Sequence, residues 1–100
     1  PEQDIVGGVI IAVEGGITQV GDMSIIVINK GKLDGLQIGN VVAVYQAGEH
    51  VFDKISQTNV VLPDTRAGLA MIFESYEKVS FAIVLKTTRP LSIFDLIKQP

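Results

Sequence analysis

Short runs of β-branched and other apolar residues, bounded by glycine, are the feature that most restricts the fold of this chain. The run VIIAV at 9–13 lies between the glycine pairs at 7–8 and 15–16. An apolar run with glycines on both sides is typical of a strand between two turns. No stretch places apolar residues at i, i+3, i+4 and i+7 over three turns, so the sequence predicts strands and almost no helix.

Other segments carry the same signature. The run at 23–29 is apolar at four consecutive positions and is predicted to be a buried central strand, and the segment at 41–46 is a strand of the same kind. Residues 17–20 are expected to continue the first strand after a bend, with a turn at 21–22. Residues 91–97 fit either a last short strand or a turn of helix.

A long hairpin is predicted near the C-terminus. Apolar residues alternate with period two over 69–73 and 79–85, and 75–78 forms the turn between them. The odd-numbered positions carry the larger side chains on both strands, so we expect them to face the core. That stripe sets the register, since a slip of one residue would exchange the two faces.

The whole chain, residues 1–100, is predicted to be one all-β domain. Five to seven short strands with glycine-rich turns indicate a small antiparallel β-barrel or a two-layer β fold. A long irregular loop is expected over 47–65, in which 60–62 pairs briefly. The chain begins without Met or a leader, so we expect it to be the C-terminal part of a longer protein.

Charge and composition exclude several functions. The net charge is −3, and the eight Lys and Arg residues are scattered, which argues against nucleic acid and anionic membrane surfaces as partners. No apolar run approaches the roughly 18 to 20 residues of a spanning helix. Apolar residues make up 47% of the chain, so strands apolar on both faces imply a filled barrel or a surface kept for a partner, including a homo-oligomer.

The segment INKGKLDGLQIGN at 28–40 spaces Gly31, Gly35 and Gly39 four residues apart. A phosphate cradle needs G-x-G-x-x-G or a P-loop pattern at the start of a helix, and the segment has neither. We therefore predict a corner between two strands.

In this corner, Gly31 is expected to let the chain leave the strand. An Asx-capped turn with positive φ is expected at Gly35, and a second tight turn at Gly39. Leu36 and Ile38 are predicted to point back into the core.

Few residues are candidates for catalysis or metal binding. His50 is the only histidine, and Glu49 and Asp53 are its only nearby metal-binding partners, so a solvated loop histidine is favoured over a metal ligand. There is neither a nucleophile elbow nor a cysteine. The aspartates at 22, 34, 64 and 95 stand where Asp forms turns. We therefore assign no catalytic, cofactor-binding or metal residue and expect no enzyme and no cofactor.

Two further sites have alternative interpretations. Asp64 and Arg66 are expected either to form an ion pair at the end of the loop, or to leave Arg66 reading a carboxylate of a glycan stem peptide or a partner. Tyr45 and Tyr76 either stack on sugars or form edges of the core.

The pattern G-x-x-D-G-L-x-x-G-x-V-x-x-V-Y, from 31 to 45, follows a strand that ends in Asn. Together with IAVEGGITQ at 11–19, LPDTRAG at 62–68, VSFAIV at 79–84 and TRP at 88–90, it resembles the C-terminal region of bacterial LysM-containing, peptidoglycan-binding envelope proteins. The LysM module lies N-terminal to this region in that family, so its glycan contacts transfer to no residue here.

The resemblance implies a non-catalytic accessory domain that mediates protein contact or assembly in the periplasm or cell envelope. Its expected partners are peptidoglycan, through a separate N-terminal LysM module, or an envelope protein. The alternative is a direct binding module for peptidoglycan fragments. Membrane insertion is not expected.

Overall fold

The computed structural model describes residues 4–14, 24–48 and 50–100. In the described residues, all regular secondary structure is strand apart from one 3-10 turn at Lys32–Asp34, and the predicted all-β class is confirmed. The strands are β1 (Gly8–Glu14), β2 (Ile25–Ile28), β3 (Val41–Gln46), β4 (His50–Asp53), β5 (Thr58–Val61), β6 (Thr65–Ser75), β7 (Ser80–Thr87) and β8 (Leu96–Lys98).

Six of these strands close into a barrel in the order β1-β2-β7-β6-β3-β8, and every neighbouring pair is antiparallel. The short β8 closes the barrel because Ile97 lies opposite Gly8 of β1 on one side and Val44 of β3 on the other. Of the two predicted architectures, the barrel is therefore correct. β4 and β5 form a separate two-stranded sheet.

The barrel interior is filled by aliphatic side chains from all six strands and from two connecting segments. The core consists of Ile10, Ile26, Ile28, Leu36, Val42, Val44, Ala67, Ala70, Ile72, Ala82, Val84, Leu91 and Ile97. Most of these residues are β-branched or small, which suits the narrow lumen of a six-stranded barrel. The predicted strand at 23–29 is shorter than expected, but its Ile26 and Ile28 are fully buried.

The predicted faces of the β6–β7 hairpin are wrong. The inward residues are the even-numbered ones, Ala70, Ile72, Ala82 and Val84. The larger odd-numbered side chains lie outside, where Phe73 and Leu85 are about half exposed. Both faces of these strands are apolar, so periodicity alone could not assign them. The lumen accepts the smaller set, and two bulges, after Leu69 and after Ile72, adjust the register.

The predicted irregular loop at 47–65 contains an ordered hairpin, β4–β5, and the expected pairing near 60–62 is confirmed at Val60 and Val61. Residues 91–97 end in the short strand β8. The expected strand at 17–20 and turn at 21–22 lie outside the described residues.

The predicted corner at 28–40 is confirmed, with two exceptions. Gly35 and Gly39 have φ of 87° and 93°, in the left-handed region that glycine favours. The Asp34 carboxylate accepts a 3.1 Å hydrogen bond from the Gly31 amide, three residues earlier. The Leu36 amide, with which an Asx turn would bond, donates instead to the Gly31 carbonyl, so the expected Asx cap is not formed. Leu36 is fully buried, but Ile38 is 64% exposed and is no core residue.

Candidate protein-contact surfaces

The residues weighed for metal or acid–base chemistry are dispersed. The backbone of His50 lies in β4, opposite Val61, and Glu49 is outside the described residues. Asp53 accepts a 2.9 Å hydrogen bond from the Ile55 amide at the hairpin tip, and this bond is the main cause of the lowered pKa of its carboxyl. In the described ranges, no cluster of three or more His, Cys, Asp or Glu side chains has the arrangement of a metal site.

Two further aspartates, Asp34 and Asp95, bind backbone amides. Asp34 holds the corner, and Asp95 accepts a 2.8 Å hydrogen bond from the Ser92 amide before β8. Burial raises the pKa of the Asp95 carboxyl. Asp22 is outside the described residues.

The expected ion pair between Asp64 and Arg66 is absent. Asp64 instead forms a 2.7 Å salt bridge with Lys98 and accepts a 2.9 Å hydrogen bond from the Gly48 amide, and these two contacts, in that order, lower the pKa of its carboxyl. Across residues 4–14, 24–48 and 50–100, Arg66 makes no ion pair. It lines a shallow groove of about 330 Å³ with Lys86 and Thr88, over a floor of Ala67, Gly68 and Leu69.

An apolar face covers one side of the barrel exterior. This outer face consists of Ile25, Val27, Val41, Met71, Phe73, Tyr76, Phe81 and Ile83. Its centre is one row across four strands, because Ile25 lies opposite Ile83, Ile83 opposite Met71, and Met71 opposite Val41. The described strands pack substantially only against their sheet neighbours. Of the outer face, Phe73 and Tyr76 are exposed and the other six side chains are partly exposed.

Three aromatic rings occupy one end of the outer face. Phe81 meets Phe73 edge to face with 6.5 Å between ring centroids, and meets Tyr76 in the same way at 6.0 Å. Tyr76 is 55% exposed and Phe73 40% exposed. Clustered, half-exposed aromatics of this kind are enriched at protein interfaces.

Among the described residues, two acidic side chains border the outer face. Glu14 is opposite Ile25 at one end of the central row, and Glu74 is opposite Phe81 beside the aromatic rings. An apolar centre with a polar rim is the composition of a contact surface.

The second exposed apolar surface is the β4–β5 hairpin with its turn, residues 50–61, here called the arm. Val51 lies opposite Val60 on one face of the arm, whereas Phe52 and Val61 belong to the other face. All four side chains are exposed, and Ile55 at the tip is 97% exposed. The arm is therefore apolar on both faces.

The two tyrosines differ in environment. The Lys98 ammonium lies 4.9 Å from the centroid of the Tyr45 ring, a cation–π contact at the edge of the barrel. Tyr76 belongs to the outer face.

Sequence reasoning missed both apolar surfaces. The alternation of large and small residues along β6 and β7 was a usable signal for the outer face, since a small barrel takes the smaller set inside. β-Branched and aromatic residues at 51–52 and within 58–61, on either side of the five-residue segment DKISQ at 53–57, were a signal for the arm.

In the described part of the chain, no helix has the length and apolarity to cross a bilayer. No family model, curated protein or solved structure matches this chain.

Proposed function

We propose that this chain is a non-catalytic protein-contact domain that serves in assembly, and the outer face is the observation that carries the proposal. Seven apolar side chains from four neighbouring strands, together with Tyr76 in the turn after β6, stand on the exterior of a filled barrel. Large contiguous apolar patches on the surface of a folded domain mark interaction sites, because leaving them in water is unfavourable.

The polar residues support the same role. Asp34, Asp64 and Asp95 each accept a backbone amide hydrogen bond that fixes a turn or a strand end. Each carboxylate therefore has a structural function that accounts for its position without catalysis.

The setting we propose is the bacterial periplasm or cell envelope. Its support is the resemblance of the corner at 31–45 and of the segments at 11–19, 62–68, 79–84 and 88–90 to LysM-containing envelope proteins. In this proposal a separate N-terminal LysM module binds peptidoglycan, and the outer face binds an envelope protein.

Site-specific photo-crosslinking tests the outer face. The full-length protein, in its own host, carries a benzophenone amino acid in place of Phe73, or in place of the exposed Leu33 in the corner as a matched control. We expect one discrete cross-linked species from position 73 that disappears when Ile83→Lys is added, and none from position 33. Monomer alone from position 73 would overturn the proposal.

The second candidate function is direct binding of peptidoglycan fragments, and the Arg66 groove favours it. The Arg66 guanidinium makes no ion pair among the described residues and lies in the same groove as Lys86. Two such cationic groups suit the carboxylate of a stem peptide. Co-sedimentation with purified sacculi separates the candidates. Strong pelleting at moderate salt that Arg66→Ala abolishes would favour fragment binding over protein contact.

A further inference from the structure

We propose that the arm pairs with the arm of a second copy of this chain, through the outer edge of β5, to form a four-stranded antiparallel sheet in the order β4-β5-β5-β4. The inference rests on the proposed assembly role, because it names one partner. It uses a surface separate from the outer face, so either proposal can fail alone.

The arm has open edges. In the described part of the chain, β4 and β5 pair only with each other, so each strand presents one row of backbone N–H and C=O groups outward. Such a row is a template for another strand. A two-stranded ribbon is marginally stable in water, and further strands stabilise it.

The two edges of the arm differ in charge. β5 has the sequence TNVV, with no charged residue, no proline and no bulge in its register. β4 ends in Asp53, and Lys54 follows it. Charged residues are the usual protection of an edge strand against pairing. The unprotected edge is therefore that of β5, and Pro63 limits the ladder on its C-terminal side.

A twofold axis through Val60 gives a consistent register. In antiparallel pairing about this axis, Val60 lies opposite the partner's Val60. Because Val51 already lies opposite Val60 within the arm, four valines line up across the joined sheet. Cross-strand pairs of β-branched residues contribute roughly 0.2–1 kcal/mol each.

The same register places Asn59 opposite the partner's Val61 and Thr58 opposite the partner's Leu62. No charged residue meets another across the axis, so the net charge of −3 brings no local repulsion at the contact. The charged β4 edges remain on the outside, and the assembly closes as a dimer instead of growing into a fibre.

The base of the arm is fixed to the barrel, which holds the β5 edge in place. The Gly48 amide and the Lys98 ammonium both bind Asp64, at 2.9 and 2.7 Å. At the neighbouring strand end, Arg89 donates a 3.0 Å hydrogen bond to the side chain of Gln46. Two four-residue edges bury less than about 1,000 Å², so the dimer is expected to be weak and dependent on concentration.

Cysteine cross-linking tests the register, and the chain contains no native cysteine. Val60→Cys places two thiols across the twofold axis, where directly opposite Cβ atoms are roughly 4.5–5.5 Å apart. The matched control, Val51→Cys, lies on the same face but on the far strand. Under mild oxidation we expect a disulfide-linked dimer from Val60→Cys at a rate at least about tenfold above the control.

Light scattering of the purified protein over a concentration series provides a second readout. We expect reversible dimerisation, lost in Val60→Lys and kept in Val51→Lys, with cross-linking from position 73 unchanged in both. Equal cross-linking rates for the two cysteine variants, or a strict monomer at millimolar concentration, would overturn the dimer without affecting the outer-face proposal.

Discussion

The hydroxyl of Ser75 donates a 2.8 Å hydrogen bond to the main-chain carbonyl of Leu36, and both residues are buried. This bond joins the end of β6 to the glycine corner, 39 residues earlier in the chain. The amide of Lys32 also donates to the carbonyl of Tyr76, at 2.7 Å, and that of Leu33 to Glu77, at 3.0 Å. The corner is therefore held by the β6–β7 turn as well as by its own glycines.

Ser75→Ala is expected to destabilise the protein. The substitution leaves the buried Leu36 carbonyl without this donor, which costs about 1–3 kcal/mol. Urea denaturation measures the change as a lower midpoint with an unchanged slope. Ser56→Ala, in the exposed turn of the arm, is the control and should change the midpoint little. A Ser75→Ala midpoint equal to that of the wild type would show that the corner does not depend on this bond.

Two glycines of the corner are predicted to respond differently to alanine. A Cβ at Gly31 would overlap the carbonyl oxygen of Tyr76, whereas a Cβ at Gly39 would meet open space. Gly39→Ala should cost only about 1 kcal/mol, from positive φ. Gly31→Ala should cost more, because the β6–β7 turn must move away.

Thermal unfolding of both glycine variants shows which of the two is less stable. The melting temperature of Gly31→Ala should fall below that of Gly39→Ala. The reverse order would mean that backbone conformation, and not close approach, determines the choice of glycine at these two positions.

Adjacent residues of β6 test the assignment of its faces. Ile72 is fully buried in the core, and Met71 belongs to the outer face. Ile72→Ala should cost about 2–5 kcal/mol, as expected for truncation in a barrel interior. Met71→Ala should cost much less and should instead weaken cross-linking from position 73. Chemical denaturation of the two variants is the measurement, and similar losses would contradict the inward position of the even-numbered set.

The sequence was sufficient to predict the fold class and the corner, because the interactions that determine them are between residues close together in the chain. Glycine spacing and an Asp before Gly35 specify turn geometry through nearby backbone atoms, which needs no knowledge of distant residues. The faces of β6 and β7 depend on barrel closure, a property of all six strands, and both faces are apolar. The contact of Ser75 with Leu36 likewise joins segments far apart in the chain, and no local pattern indicates it.

The candidate surfaces were harder to predict for the same reason. Phe73 and Phe81 look like core residues until the lumen is known to hold Ile72 and Ala82 instead. The polar residues between Phe52 and Val60 hide the strand pattern of the arm. Asp64 pairs with Lys98, 34 residues away, which leaves Arg66 without an ion pair in the part of the chain that the structure describes.

The salt bridge between Asp64 and Lys98 makes the stability of the protein depend on pH. The hydrogen bond from Lys98, followed by that from the Gly48 amide, lowers the pKa of the Asp64 carboxyl below its usual range. The folded state therefore binds this proton less readily than the unfolded state. The contribution of Asp64 to stability is present above the unfolded pKa and is lost as the pH falls through the folded pKa.

The Asp95 carboxyl has the opposite effect on the pH dependence of stability. Burial raises the pKa of its carboxyl, so the folded state binds its proton more readily, and the penalty of ionisation is present at neutral pH and relieved on acidification. Asp64→Asn should therefore flatten the loss of stability in acid, and Asp95→Asn should steepen it.

Urea midpoints measured from pH 7 to pH 3 distinguish the two variants. Lys98→Met serves as the matched control for Asp64→Asn, because it removes the other side of the same salt bridge. Its acid dependence should flatten in the same direction, although the Gly48 amide still binds the carboxylate. If Asp64→Asn and Lys98→Met both kept the acid dependence of the wild type, the salt bridge at the base of the arm would not be coupled to the folding of the barrel.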